Sequence, residues 1–197
     1  MKVRDRMSSP VQTTTPQASV DSALKMMRER DVRHLPVLEQ GRLVGLVTDT
    51  ELRTAWFPSL LDKLNVNDVM VKHPVTIGAD ETVYQAARLI HHNRITGLPV
   101  LDGGKLVGMI TQADILQLLI ETLGLLDETS RLDVVLSADE GALERAHAVI
   151  AANGGQVISV AQLSAAPARR VYSFRLRQTD VEPIRQALQK AGHQVIS

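Results

Sequence analysis

The first two thirds of the chain is written twice. Val3, Asp5 and Met7 recur as Val66, Asp68 and Met70, an offset of 63 residues between Met7 and Met70. The offset grows by one at Pro10 and Pro74 and then returns. Leu35-Pro-Val-Leu38 matches Leu98-Pro-Val-Leu101, and Leu43-Val-Gly45 matches Leu106-Val-Gly108. A repeat of this length marks two copies of one supersecondary unit, each too small to bury its apolar face alone. The copies are expected to pack face to face around a shared cleft.

Each copy predicts the same string of elements. Val20, Ala23, Leu24 and Met27 follow the spacing of an amphipathic helix, as do Val83, Ala86, Ala87 and Ile90. Asp80 is the expected N-cap of the second of these helices, with Glu81 in its first turn. A strand follows at Leu35–Leu38 or Leu98–Asp102, then a turn at Gly41 or at Gly103-Gly104. A second strand, Arg42–Thr48 or Lys105–Thr111, leads into another helix. The two copies span residues 1–63 and 64–126.

From Arg131 the pattern changes, after a short acidic stretch at Asp127-Glu128. Leu132–Leu136 reads as a strand, and Asp139-Glu-Gly-Ala-Leu143 opens a helix with Leu143, Ala146 and Ile150 on one face. Gly154-Gly155 stops it. Val157–Leu163 and Arg170–Arg177 are strands, the second alternating Val171, Ser173, Arg175 and Arg177 against Tyr172, Phe174 and Leu176. Asp180 begins a helix carrying Ile184, Ala187, Leu188 and Ala191, and Gln194–Ile196 closes the segment. Over 131–197 the order is βαββαβ, a ferredoxin-like arrangement. The fold class is α/β (α+β).

Composition removes several function classes. Lys and Arg number 22, and Asp and Glu also number 22, so no net field draws in nucleic acid or an anionic membrane. Only 3% of residues are aromatic, too few for a base-stacking platform. Without cysteine there is no disulfide framework, thiolate metal site or thiol nucleophile, which fits a reducing cytoplasm. The apolar run Ile115–Leu126 is broken by Gln117 and Glu121 and falls short of the roughly 20 residues that span a bilayer. No nucleophile motif, phosphate loop or dinucleotide fingerprint is present, so the chain is read as a non-enzyme with no required cofactor. Adjacent His91 and His92 point about 100° apart on a helix and cannot share a metal ion.

The doubled strings Val-x-Asp-x-Met, Leu-Pro-Val and Gly-x-x-Thr-x-x-Asp/Glu resemble a pair of cystathionine-β-synthase (CBS) domains, a Bateman module, over about residues 1–125. That resemblance implies a regulatory sensor binding an adenosine ligand: AMP, ADP, ATP or S-adenosylmethionine. It implies a site at Thr76, Ile77, Gly97, Leu98, Pro99, Thr111 and Asp114. There the carboxylate would accept both ribose hydroxyls and the threonine would face a phosphate beside a helix N-terminus. A second, altered site would hold Thr13, His34, Pro36, Thr48 and Glu51, with Leu35 at its adenine slot. The extra methylene of Glu51 is expected to carry that carboxylate outward, so that this site differs in preference or stays empty. Arg33, Lys72 and His73 are candidate phosphate contacts.

The third segment, with Asp139, Gly141 and Leu143 at its strand–helix turn and Asn153-Gly-Gly155 before its second strand, resembles an ACT domain. Glu140 stands where that family often has proline. The order of domains is similar to CBS–ACT proteins of acetoin utilization. The resemblance implies a homodimer and an unnamed target enzyme. Two rival readings stand beside it: a dimerisation module without nucleotide, and an amino-acid sensor working through the third segment. Trp56, Phe57 and Pro58, between the copies, would suit a subunit contact if exposed.

Overall fold

The computed structural model describes residues 1–54, 64–124, 128–166 and 169–196. It divides into two compact units, Met1–Ile115 and Leu116–Ser197. Trp56, Phe57, Pro58 and Asp127 lie outside the described residues.

In the first unit, copy one runs α1 (Val20–Glu29), β1 (His34–Glu39), β2 (Arg42–Thr48) and α2 (Asp49–Thr54). Copy two runs α3 (Val66–Val69), β3 (Val71–Lys72), β4 (Ile77–Gly78), α4 (Val83–Asn93), β5 (Gly97–Asp102) and β6 (Lys105–Thr111), followed by α5 (Gln112–Leu123), of which only Gln112–Ile115 falls in this unit. The hairpins match to the residue: Val37 pairs with Gly45 and Val100 with Gly108, and each ladder shifts register one step later. Val20, Ala23, Leu24 and Met27 of α1 all point inward against Leu35, Val37 and Val47.

The short elements that the periodicity does not predict carry the main architectural fact. The segment leading into each copy crosses to the other copy's sheet. β3 pairs with β2 (Leu46 with Val71), and Ser8 bridges Met109 of β6 at the equivalent place. The Val3 amide donates to Glu81 and the Val66 amide to Ala18, each at 2.8 Å. Both valines are fully buried, and Val66 belongs to the first copy's core. The Val-x-Asp-x-Met string builds this crossing: Asp5 and Asp68 cap their own short turns through the Lys2 and Asn65 amides, at 3.0 and 2.9 Å. Met7 then lies on Gly108 and Met70 on Gly45, where a Cβ would overlap the sulfur. After crossing, each segment returns to its own sheet, Thr14 beside Val37 and Ile77 beside Val100, both parallel.

One cap differs from expectation. α4 is capped by Thr82, whose hydroxyl accepts from the Gln85 amide while Gln85 reaches back to the Thr82 amide. Asp80 instead takes Lys2 and Arg4, each at 2.8 Å. Those partners, Lys2 first, hold its carboxyl below the usual range.

The second unit runs β7 (Thr129–Leu136), α6 (Ala142–Ala152), β8 (Val157–Ala166), β9 (Arg169–Arg177), α7 (Glu182–Lys190) and β10 (Gln194–Val195). Its sheet is antiparallel in the order β10-β7-β9-β8. Leu132, Val134, Phe174 and Leu176 pack under Ala146, Ile150, Ile184 and Leu188 of the two helices. The expected helix starts at Asp139 and Asp180 move inward. Gly141 caps α6, and Asp180 stays outside α7, accepting from the Glu182 amide at 3.0 Å.

Candidate functional site

The first unit holds a cavity of about 800 Å³ where the two copies meet, within the range typical of small-ligand pockets. Three walls build it. The crossing segment contributes Ser8, Pro10, Val11 and Gln12; the turn from α1 into β1 contributes Arg30, Arg33 and His34; the starts of α2 and α5 contribute Thr48 and Thr111–Asp114.

Thr111 and Asp114 form a reciprocal cap at the start of α5. Asp114 Oδ2 accepts from the Thr111 amide at 2.8 Å and from its hydroxyl at 2.7 Å, and the Asp114 amide donates to Thr111 Oγ1 at 3.3 Å. The cap therefore uses one carboxylate oxygen. Oδ1 has no hydrogen-bond partner among the described residues, and the side chain lines the cavity. A carboxylate oriented by one oxygen and open at the other can accept donors from a ligand without giving up its cap.

Glu51 departs from expectation. Its carboxylate does not reach outward: Oε2 folds back to accept from the Thr48 amide at 3.0 Å and from the Thr48 hydroxyl. The extra methylene supplies the torsional freedom to curl home, and the positive end of the helix draws the charge there. Glu51 is not among the residues that line the cavity, whereas Asp114 is. Both carboxylates cap their helix in the same way, and the copies differ in that only Asp114 also lines the cavity.

His34 sits at the junction of the copies. Its Nε2 is 2.7 Å from Thr96 Oγ1, and its ring would meet a Cβ at Gly97, its own counterpart, at 3.1 Å. Burial pushes its imidazole below the ordinary histidine range; Glu51 and Asp114 oppose that shift and Arg33 reinforces it.

The structure thus brings Thr111, Asp114, His34 and Thr48 to one cavity, although the sequence sorts them into two sites. Thr76, Ile77, Leu98, Pro99 and Pro36 do not line it. Ile77 is 5% exposed, and Leu98 and Leu35 are fully buried, so all three pack in the core. Gly97 is buried under His34. Thr13 lines a separate cavity of about 660 Å³ with Arg4, Leu38 and Asp102. Lys72 and His73 line the equivalent one on the other copy, about 450 Å³, with Glu39 and Asn67. His91 and His92 border a surface hollow with Arg94, and no cluster of three metal-ligating side chains occurs among the described residues. Sequence reasoning missed Ser8, Val11 and Gln12, because only the crossing brings them to Asp114, and it missed Arg30, at the end of α1.

At the turn in the second unit, Asp139 is ion-paired with Arg145, whose Nη1 also donates to the Glu140 carbonyl at 3.2 Å. Ser137 and Arg145 hold the Asp139 carboxyl below the usual range. Leu143 packs against the core. The turn around Gly141 is covered by the chain's own guanidinium.

The comparisons with known proteins bear on the first unit. The family described as "CBS domain" matches residues 3–57 and 66–121, more than half of the chain. The CBS domain pair of protein MJ0100, solved with 5-methylthioadenosine and S-adenosyl-L-methionine, is 29% identical with a TM-score of 0.56, covering 60% of this chain and 95% of that one. CBSX2 in complex with AMP is 30% identical with a TM-score of 0.54, covering 61% and 96%. A Vibrio cholerae protein assigned to acetoin utilization, AcuB, is 26% identical with a TM-score of 0.57, covering 66% and 98%.

Proposed function

The chain belongs to the CBS-domain family, and from that premise we propose that it is a regulatory sensor taking an adenosine-containing ligand into the cavity at Asp114. The observation that carries this reading is the split carboxylate: Oδ2 is spent on the α5 cap and Oδ1 is left for a ligand at the cavity wall. A capping residue with no further role has no need to face a cavity of this size. Relatives of the same fold that bind AMP, or methylthioadenosine and S-adenosylmethionine, support the adenosine class. Thr111 and Thr48 would stand at the polar end of the ligand, and Pro10 and Val11 would cover its apolar face.

In this reading the chain regulates rather than catalyses. The second unit, ACT-like in its βαββαβ order, would relay the bound state to a partner enzyme. Such coupling requires only that the ligand favour one arrangement, commonly by about 1–3 kcal/mol. An amino acid is the weaker candidate for the second unit, because Arg145 already covers the turn that would receive it. No described helix is long and apolar enough to cross a membrane.

Two measurements test the proposal. In a thermal-shift screen, an adenine nucleotide or S-adenosyl compound should raise the melting temperature and common amino acids should not; a screen silent for every adenosine compound would favour the scaffold reading. Light scattering should return twice the 21.6 kDa protomer mass at micromolar concentration, and a protomer mass throughout a dilution series would reject the dimer.

A further inference from the structure

We propose that Met7 and Met70 are a pair of peroxide-reactive modification sites, and that oxidising either sulfur loosens the crossing that ties one copy to the other. The duplication sets the pair. Each methionine closes the short turn of its Val-x-Asp-x-Met string, the Met7 amide donating to the Val3 carbonyl at 2.9 Å and the Met70 amide to the Val66 carbonyl at 2.8 Å. The unbranched side chain then reaches the other copy's hairpin and rests on a buried glycine. A Cβ at Gly108 would overlap the Met7 sulfur and stand 2.8 Å from its Cγ; one at Gly45 would overlap the Met70 sulfur and stand 3.0 Å from its Cγ. Backbone therefore closes one side of each thioether.

The other side is open. Both methionines are half-buried, and each lines a cavity: Met7 the one of about 660 Å³ with Arg4 and Asp102, Met70 the one of about 450 Å³ with Asn67 and Lys72. A small oxidant can therefore reach a sulfur that is also a packing contact between the copies. The remaining methionines lack that combination. Met27 and Met109 are 4% and 5% exposed. Met1 is 63% exposed, and Met26 is half-buried against the core of its own copy. The chain has no cysteine to intercept a peroxide, which leaves the thioethers as its first targets.

The chemistry is a two-electron oxygen transfer. A sulfur lone pair attacks one oxygen of hydrogen peroxide, the O–O bond breaks and the S–O bond of the sulfoxide forms. The other oxygen leaves as water, carrying both protons, so the thioether is oxidised and the peroxide reduced. A polar, chiral group replaces a polarizable apolar one. Its oxygen has no room on the glycine side, and hydration draws the side chain toward the cavity and off its seat. The residues that follow make the backbone pairing between the copies: Ser8 exchanges two bonds with Met109, at 2.9 and 3.1 Å, and Val71 pairs with Leu46. Lifting either sulfur pulls on that pairing, with or without a ligand in the cavity at Asp114.

Peptide mass mapping and thermal melts of the full chain across a hydrogen peroxide series test this. Met7 and Met70 should be oxidised roughly fivefold faster than Met27 and Met109. The melting temperature should fall by about 5 °C as they react, and a methionine sulfoxide reductase with a thiol reductant should restore it. Met7→Leu/Met70→Leu conserves volume; it should melt close to wild type and keep that melting temperature in peroxide. Met1→Leu/Met26→Leu should lose stability in peroxide as wild type does. An unchanged melt after full oxidation of Met7 and Met70, or an equal loss in the Met7→Leu/Met70→Leu variant, would overturn the proposal. If that variant does not fold, hydrogen exchange on oxidised wild type decides: faster exchange at the Ser8 and Met109 amides supports the loosened crossing, and unchanged protection there refutes it.

Discussion

Asp114→Ala should weaken binding of AMP or ATP by roughly 10- to 150-fold. Oδ2 is committed to the Thr111 amide and hydroxyl, and Oδ1 is the group left at the cavity. Ribose hydroxyls that lose a charged acceptor in a partly desolvated site forfeit about 1.5–3 kcal/mol, which is that range of affinity. Asp114→Asn separates the two jobs of the side chain. An amide oxygen can still accept at the cap but lacks the charge, so this variant should keep the stability of wild type and lose most of the affinity. The alanine variant should also give up about 1 kcal/mol of stability with its cap. Glu51→Ala should shift affinity less than threefold, because its carboxylate is folded back on Thr48 and does not line the cavity. Calorimetry with both nucleotides, alongside thermal melts, reads all three variants. Equal losses for Asp114→Ala and Glu51→Ala would refute the asymmetry, and an Asp114→Asn variant with full affinity would reduce Asp114 to a cap.

Gly155→Val should cost about 3 kcal/mol, the largest stability loss expected from a change of one exposed-looking sequence position. Gly155 is buried, and a Cβ there would stand 2.9 Å from Ile184 Cδ1 and 3.0 Å from the Ile150 carbonyl. Both isoleucines are fully buried in the second unit's core, so neither can withdraw without opening it. Overpacking of this kind typically costs about 1–3 kcal/mol, and a branched side chain against backbone lies at the upper end. Gly154 is the comparison. It carries the positive φ of 83° and has open space around its Cβ position. Gly154→Ala should therefore cost only the left-handed strain, about 1 kcal/mol. Urea unfolding of the two variants decides between a packing and a turning role; equal costs would contradict the assignment. The adjacent glycines read in sequence as one helix stop, but only Gly154 turns the chain.

Much of this protein follows from local pattern alone. The 3.6-residue spacing of Val20, Ala23, Leu24 and Met27 places a helix and its buried face, because a helix has one way to hide such a stripe. The alternation around Phe174 and Leu176 does the same for β9. Thr111 and Asp114 are legible as a cap because the bonding closes within three residues. Tertiary structure decided what surrounds that cap. Each copy carries the same pattern, so the segment ahead of it can satisfy its backbone on either sheet, and no local signal tells the two apart. Packing of the copies resolves the choice in favour of exchange, with Val3 and Val66 each buried by the crossing and Met7 and Met70 seated on Gly108 and Gly45. That exchange carries Ser8, Val11 and Gln12 to Asp114, beside Arg30, Arg33 and His34, and leaves Ile77 and Leu98 in the core. That Glu51 caps its helix without lining the cavity, while Asp114 does both, is decided at the same level.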